Sequence, residues 1–224
     1  MQSYLVFGLT ASLGAMGELA GHERRGSLVW PGRAAIIGLL GAALGVRRDG
    51  DFSALDALAI SVAIFDEGVP VRDYHTVETV PSAAAKSPNS RPEALRTAGT
   101  HTNTTITLRD YRAGPLYGIS VAGEGLQAIA EALRNPHFTL YLGRKSCPLA
   151  APTGAKVVEA ETEEAALALL DLPPWRKNAV ARTLVVDAAL GEVVNDVPLD
   201  RKLWHHGGRR VAMRPVRIAT EGSA

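Results

Sequence analysis

The stretch 138–149, FTLYLGRKSCPL, decides how the rest of the chain is read. Its first half, Phe138 to Leu142, mixes aromatic, β-branched and aliphatic residues as a buried strand does. Gly143 then lets a ligand or another backbone come close where a Cβ would obstruct it. Arg144, Lys145 and Ser146 follow with a forked guanidinium, a point charge and a hydroxyl, all donors to an anion. The same spacing also fits a solvated turn. Cys147 has no local base to activate it, so it is expected to pack rather than react.

Outward from this stretch the elements fall into a recognisable order. Upstream, Leu126, Ile129, Ala130 and Leu133 mark a helix over about 124–134 that stops at Asn135-Pro136. Before it, 107–121 has strand character. At the start of the chain, 3–10 (SYLVFGLT) is apolar on both alternating faces, as a covered central strand is. Ile36, Leu39, Leu40, Ala43 and Leu44 form a helical stripe after Pro31-Gly32, and Gly32 and Arg33 are expected to set free N–H groups and a cation where a phosphate would bind. A strand over 59–65 turns at Asp66-Glu67-Gly68. The succession strand, helix, strand, insertion, strand, helix, strand is the split βαβ order of ferredoxin-like and RNA-recognition folds, so the class is α+β.

Three segments lie outside that succession. Residues 11–30 form a Gly-rich stretch with His22, Arg24 and Arg25, a candidate ligand-binding loop. Residues 74–107 read as two extended arms joined by a mobile tip, a hairpin thumb with its insertion at about 76–106. After Pro148, a strand at 156–158, a helix over 163–170 and strands at 183–187 and 209–218 suggest a small C-terminal β-rich subdomain. The expected division is 1–150 and 151–224.

Composition narrows the function classes. Of 224 residues, 46% are apolar and 21% charged, which is globular rather than disordered. The net charge of +1 excludes a polybasic protein, but 201–217 holds Arg201, Lys202, Arg209, Arg210, Arg214 and Arg217 without an acid, so a basic face is expected there. One cysteine allows no internal disulfide, pointing to a reducing, cytoplasmic compartment. The longest apolar run, 34–46, falls short of the roughly 20 residues a spanning helix needs, and no cationic n-region precedes Arg24, so no membrane association is expected. Six histidines show neither HExxH nor a His/Cys cluster, and no P-loop, GxGxxG or GxSxG occurs; neither a metal nor an organic cofactor is expected. Tyr74-His75 beside Arg72 reads as an acid/base pair for RNA cleavage, as a stacking pair, or as two strand residues on opposite faces.

Three separated motifs carry a family likeness. VRDYHTV at 71–77, PGRAAIIGLLGAALGVRR at 31–48 and YLGRKSCPL at 141–149 together resemble the CasD family, the guide-RNA 5′-handle-binding subunits of the type I-E CRISPR Cascade complex. The likeness covers about 1–150. It implies an RNA-recognition-like domain with a projecting thumb. It also implies a non-catalytic role capping the crRNA 5′ handle, and a place beside the CasC backbone and CasA large subunits that reaches target DNA through the complex. Related type I-C members cleave RNA, so a metal-independent endoribonuclease is the alternative. By motif, Arg33, Tyr74, His75, Tyr141, Arg144, Lys145 and Ser146 are expected to contact RNA, joined by Arg25 and Gly143. The chain departs from the family pattern at Ala11-Ser12, Gly14, Met16 and Ala34.

Overall fold

The computed structural model describes residues 1–20, 23–201, 203 and 205–220; His22 and Lys202, named above, lie outside them. In chain order the elements are β1 (Gln2–Thr10), β2 (Leu13–Gly14), β3 (Gly17–Ala20), β4 (Arg24–Ser27), α1 (Arg33–Leu44), α2 (Ser53–Asp56), β5 (Ala59–Asp66) and β6 (Val69–Thr79). They continue as α3 (Arg91–Ala98), β7 (Asn103–Ala113), β8 (Leu116–Ala122), α4 (Leu126–Arg134), β9 (Lys156–Ala160), α5 (Glu163–Ala168), a 3₁₀ turn (Pro174–Arg176), β10 (Val180–Asp200) and β11 (His205–Ala219). The architecture is α+β, with mostly antiparallel strands and few helices.

A six-stranded sheet in the order β11-β10-β5-β8-β1-β9 forms the body, every neighbouring pair antiparallel. The double-sided apolar pattern of β1 is explained by its cover. Leu5, Phe7 and Leu9 pack with Ile36, Ile37 and Leu40 of α1 and Ile129 and Leu133 of α4. Val6, on the other face, packs with Ala166 in α5 and with Leu170 just beyond it. The helical stripe read over 124–134 is likewise spent on the core, since Leu126, Ile129, Ala130 and Leu133 are all buried.

The stretch 138–142 is not a strand. Its apolar alternation survives, with Leu140 and Leu142 buried in the main core, but only isolated bridges (Tyr141–Pro148 and Ala11–Leu149) give it sheet character. The reason is competition for the edge of β1. One side of β1 pairs with β8, and the other is taken by β9 from Gln2 to Val6. Farther along that side, Gly8 N–H donates to the Thr153 carbonyl and Ala150 N–H to that of Thr10. With no edge left, the segment starts by capping α1, where His137 and Phe138 N–H donate to the carbonyls of Ala43 and Ala42. The last strand of the succession is β9. The division expected at residue 150 therefore cuts through the sheet, because β9 pairs with β1 and β10 with β5.

The insertion is a long hairpin. β6 and β7 stay in register from Val69–Ala113 to Thr79–Asn103, longer than the 76–106 expected. Its tip carries α3 instead of an irregular loop. Ser90 caps that helix by accepting from Glu93 N–H, with Pro92 in the first turn. The run read as a single strand over 107–121 breaks at Gly114-Pro115, which separates β7 in a second sheet from β8 in the first. The 11–30 segment is strand-bearing too: β2 pairs with the end of β7, and β4 runs parallel to β7.

The expected basic face at 201–217 is largely neutralised. Arg201 forks onto Asp56, Arg209 pairs with Asp187 and Asp196, and Arg214 reaches Glu163 and Glu164 of α5. Among the described residues no helix is long and apolar enough to cross a membrane, and no group of three potential metal ligands occurs.

Candidate nucleic-acid interface

The segment that failed to become a strand is held as a tight loop against the 11–16 turn. Leu142 N–H donates to the Cys147 carbonyl and Cys147 N–H to that of Arg144, while Ala15 N–H donates to the Leu142 carbonyl at 3.1 Å. Gly143 has φ +86, and a Cβ there would overlap the Ala15 carbonyl oxygen. The close approach that the glycine permits is thus to another part of the chain. Cys147, 1% exposed, anchors the loop in the interior, leaving Lys145 and Ser146 in solvent and Tyr141 38% exposed.

Anchored in this way, the loop lays Arg144 over the Tyr111 ring of β7, with its guanidinium carbon 4.5 Å from the ring centroid. The Arg144 Nη1 is buried and makes no hydrogen bond. A buried guanidinium nitrogen without an acceptor costs free energy.

Strand register collects further residues on the same face. Side chains alternate across a sheet, so Arg109 shares the Tyr111 face. Arg109 stands opposite Asp73 in β6 and beside Arg25 in β4. His75, two residues beyond Asp73, hydrogen-bonds the Asp73 carboxylate. One face of the hairpin root therefore holds Arg25, Arg109, Tyr111, Asp73 and His75, with Arg144 stacked on it. Tyr74, 67% exposed, points from the opposite face, the one occupied by Arg72 and Asp110. Tyr74 and His75 are thus not assembled as an acid/base pair; adjacent strand residues cannot share a face.

That opposite face is an ion-pair cluster. Asp110 accepts from Arg72 Nε at 2.7 Å and from Arg24 Nη2 at 2.7 Å, tying β6, β7 and β4 together. The Arg72 hydrogen bond, helped by Arg24 against a small burial penalty, lowers the Asp110 pKa to about 2. Because the folded value lies below the ordinary carboxylate value near 3.9, this contribution to stability is present above pH ~4 and is lost as the pH falls toward 2. Thermal unfolding of Asp110→Asn against the parent chain should therefore differ at pH 6 and converge near pH 2. Both arginines are substantially exposed, so the difference at pH 6 is expected to be small.

Arg33 lies elsewhere. The α1 helix start that was expected to offer free donors is already capped: Arg33 N–H donates to Asp196 Oδ2 of β10 at 2.6 Å, and its guanidinium Nη2 donates to the Asp56 carbonyl at 2.7 Å. Arg209 Nε and Nη2 fork onto the same Asp196 at 2.7 and 2.8 Å. Burial works against the Arg209 charge, but the Asp196 hydrogen bonds and the charges of Asp196 and Asp187 outweigh it and raise its pKa. A protein carboxylate sits where the phosphate was expected.

Of the residues read from the sequence, Tyr141, Gly143, Arg144, Lys145 and Ser146 share one loop, and Arg25 and His75 join the face that Arg144 covers. Tyr74 and Arg33 do not. Arg109 and Tyr111 were missed; their signal was the alternating pair Arg109-x-Tyr111 in a strand, which has meaning only once its partner strand is known.

The chain is similar in sequence and fold to known proteins. The family described as CRISPR-associated protein (Cas5) matches residues 4–212. The Cascade subunit CasD of Escherichia coli strain K12 is 32% identical over 184 residues, covering 75% of this chain and 76% of that protein. A chain of a CRISPR RNA-guided surveillance complex superposes with a TM-score of 0.73 at 24% identity, over 96% of this chain and 90% of that one. A Cas protein crystal structure gives 0.64 at 26% identity, over 99% and 100%. Taken together, the motifs at 31–48, 71–77 and 141–149, the hairpin-bearing α+β fold and these matches lead to one conclusion: the chain belongs to the Cas5 family of CRISPR-associated proteins, the family of the Cascade subunit CasD.

Proposed function

We propose that this chain is the non-catalytic subunit of a type I-E Cascade complex that binds and caps the 5′ handle of the crRNA. The observation that carries the reading is Arg144, stacked on Tyr111 at the hairpin root with a buried nitrogen that has no acceptor. Single-stranded RNA is held by phosphate donors together with aromatic and guanidinium planes, and this face supplies both. The core order β5-β8-β1-β9, with α1 and α4 as the crossing helices, supports a ferredoxin-like, RNA-recognition-like scaffold. The β6–β7 hairpin is the thumb that would close over the guide. In this reading the CasC backbone and CasA large subunits are its neighbours, target DNA is reached only through the assembled cytoplasmic complex, and neither metal nor cofactor takes part.

The test is a titration of repeat-derived single-stranded RNA against the chain and its Arg144→Ala/Lys145→Ala variant. The variant should bind at least tenfold more weakly, with a shallower salt dependence because phosphate contacts are lost. Equal affinity would remove the loop from the interface. Incubating the chain with repeat RNA in EDTA addresses the endoribonuclease alternative: intact RNA is the expected result, and metal-free cleavage would replace this proposal.

A further inference from the structure

We propose that the chain holds a second nucleotide of the same single strand at Trp175, across the end of the sheet from the Arg144 loop; the inference rests on the RNA-binding reading above. Trp175 sits in the 3₁₀ turn Pro174–Arg176, entered through Pro173, and its side chain is 63% exposed. The turn is closed on both sides, by Arg176 N–H donating to the Pro173 carbonyl at 2.8 Å and Ala179 N–H to that of Arg176 at 3.0 Å. Two consecutive prolines and these bonds present the indole at little conformational cost.

The indole borders an open cleft of about 360 Å³, which Phe65, Asp66, Arg176, Lys177 and Asn178 line with Trp175. The chemistry of this lining is that of a single-strand contact: a flat aromatic face for a base, with a lysine and a carboxamide beside it. The one acid, Asp66, does not repel an anion freely, because Arg176 Nη2 pairs with it at 2.5 Å and its Oδ1 accepts from Gly68 N–H at 2.8 Å. Lys177 and Asn178 beside the indole are exposed and polar. A protein-docking tryptophan stands instead in an apolar, water-excluding patch.

Position supplies the second argument. Asp66 pairs with Leu116 of β8, Leu116 pairs with Thr10 of β1, and the next residue, Ala11, bridges to Leu149 of the Arg144 loop. The Trp175 cleft and the Arg144 loop therefore flank one end of the sheet, three strand spacings or roughly 14 Å apart. Asp66 also opens the turn into the β6–β7 hairpin, so a strand bound at the hairpin root passes both features.

The experiment titrates RNA and DNA oligonucleotides of one repeat-derived sequence against the full chain, Trp175→Ala and Trp175→Phe, with thermal unfolding as a check on folding. Loss of one stacked base predicts about tenfold weaker binding for Trp175→Ala and nearly parental binding for Trp175→Phe. A loss on RNA alone assigns the stack to the guide, and a loss on both assigns it to any single strand; either supports the inference. Unchanged affinity of Trp175→Ala, while Arg144→Ala/Lys145→Ala binds weakly, overturns this inference alone. Unchanged affinity of both variants overturns the RNA-binding reading with it. Parental RNA affinity combined with reduced recovery of Trp175→Ala in the co-expressed complex also overturns it, by making Trp175 a protein contact.

Discussion

Asp196→Ala is expected to destabilise the chain by about 3 kcal/mol, because one carboxylate there serves three donors. Asp196 is 4% exposed, caps the α1 helix at Arg33 N–H, and takes the fork of the half-buried Arg209. Removing it leaves a helix donor without an acceptor and a guanidinium held only by the exposed Asp187. For a chain of this size the loss corresponds to a fall in Tm of roughly 6–12 °C. Asp196→Asn should lose less, about 1 kcal/mol, since its amide oxygen still caps the helix while the charge pairing is gone. Gly32 belongs to the same arrangement: a Cβ there would stand 2.7 Å from Asp196 Oδ2. Differential scanning calorimetry of the two variants measures this directly, and equal Tm values for Asp196→Ala and the parent would show that the clasp contributes nothing. The clasp joins β10 to the start of α1, residues 163 positions apart, so its loss should loosen the β10–β11 hairpin from the core.

Gly143→Ala is the second large effect, and it should act on stability and RNA binding together. At φ +86 an L-residue is strained by about 1–2 kcal/mol. The added methyl would also overlap a backbone oxygen, that of Ala15, which cannot rotate away. Relief requires the loop to leave the 11–16 turn, breaking the bond from Ala15 N–H to the Leu142 carbonyl and lifting Arg144 off Tyr111. The expected cost is about 2–4 kcal/mol in stability. The drop in RNA affinity should match or exceed that of Arg144→Ala/Lys145→Ala, although Gly143 has no side chain to offer RNA. Thermal unfolding and RNA titration on the same preparation separate the two. Parental behaviour in both would show that the loop accommodates the methyl and that its anchoring is unimportant.

Local pattern made much of the scaffold legible. The doubly apolar run at 3–10, the stripes at 36–44 and 126–133 and the turn at 66–68 each announce an element from side-chain spacing alone, and those elements are present. The projecting arms were visible because a polar, proline-bearing stretch between two extended runs has no core to join. Single cysteine usage, the missing metal spacings and the three family motifs narrow the function class by themselves.

Other features depend on which partners compete for the same group. Residues 138–142 carry the pattern of a strand, yet β9 and the 150–153 segment occupy the edge of β1 they would need. The helix start at Arg33 looks like an anion site until Asp196, far along the chain, fills it. The arginines of 201–217 look like a basic face until folding brings Asp56, Asp187 and the acids of α5 against them. Tyr111 joins the candidate site only because a loop more than 30 residues later lays Arg144 on its ring. The sequence by itself determined the main core strands and helices, the projecting hairpin and the family, because periodicity and motif are local. The tertiary structure alone decided which donors remain unpaired, because a hydrogen bond or an edge, once taken by a distant residue, is closed to a ligand.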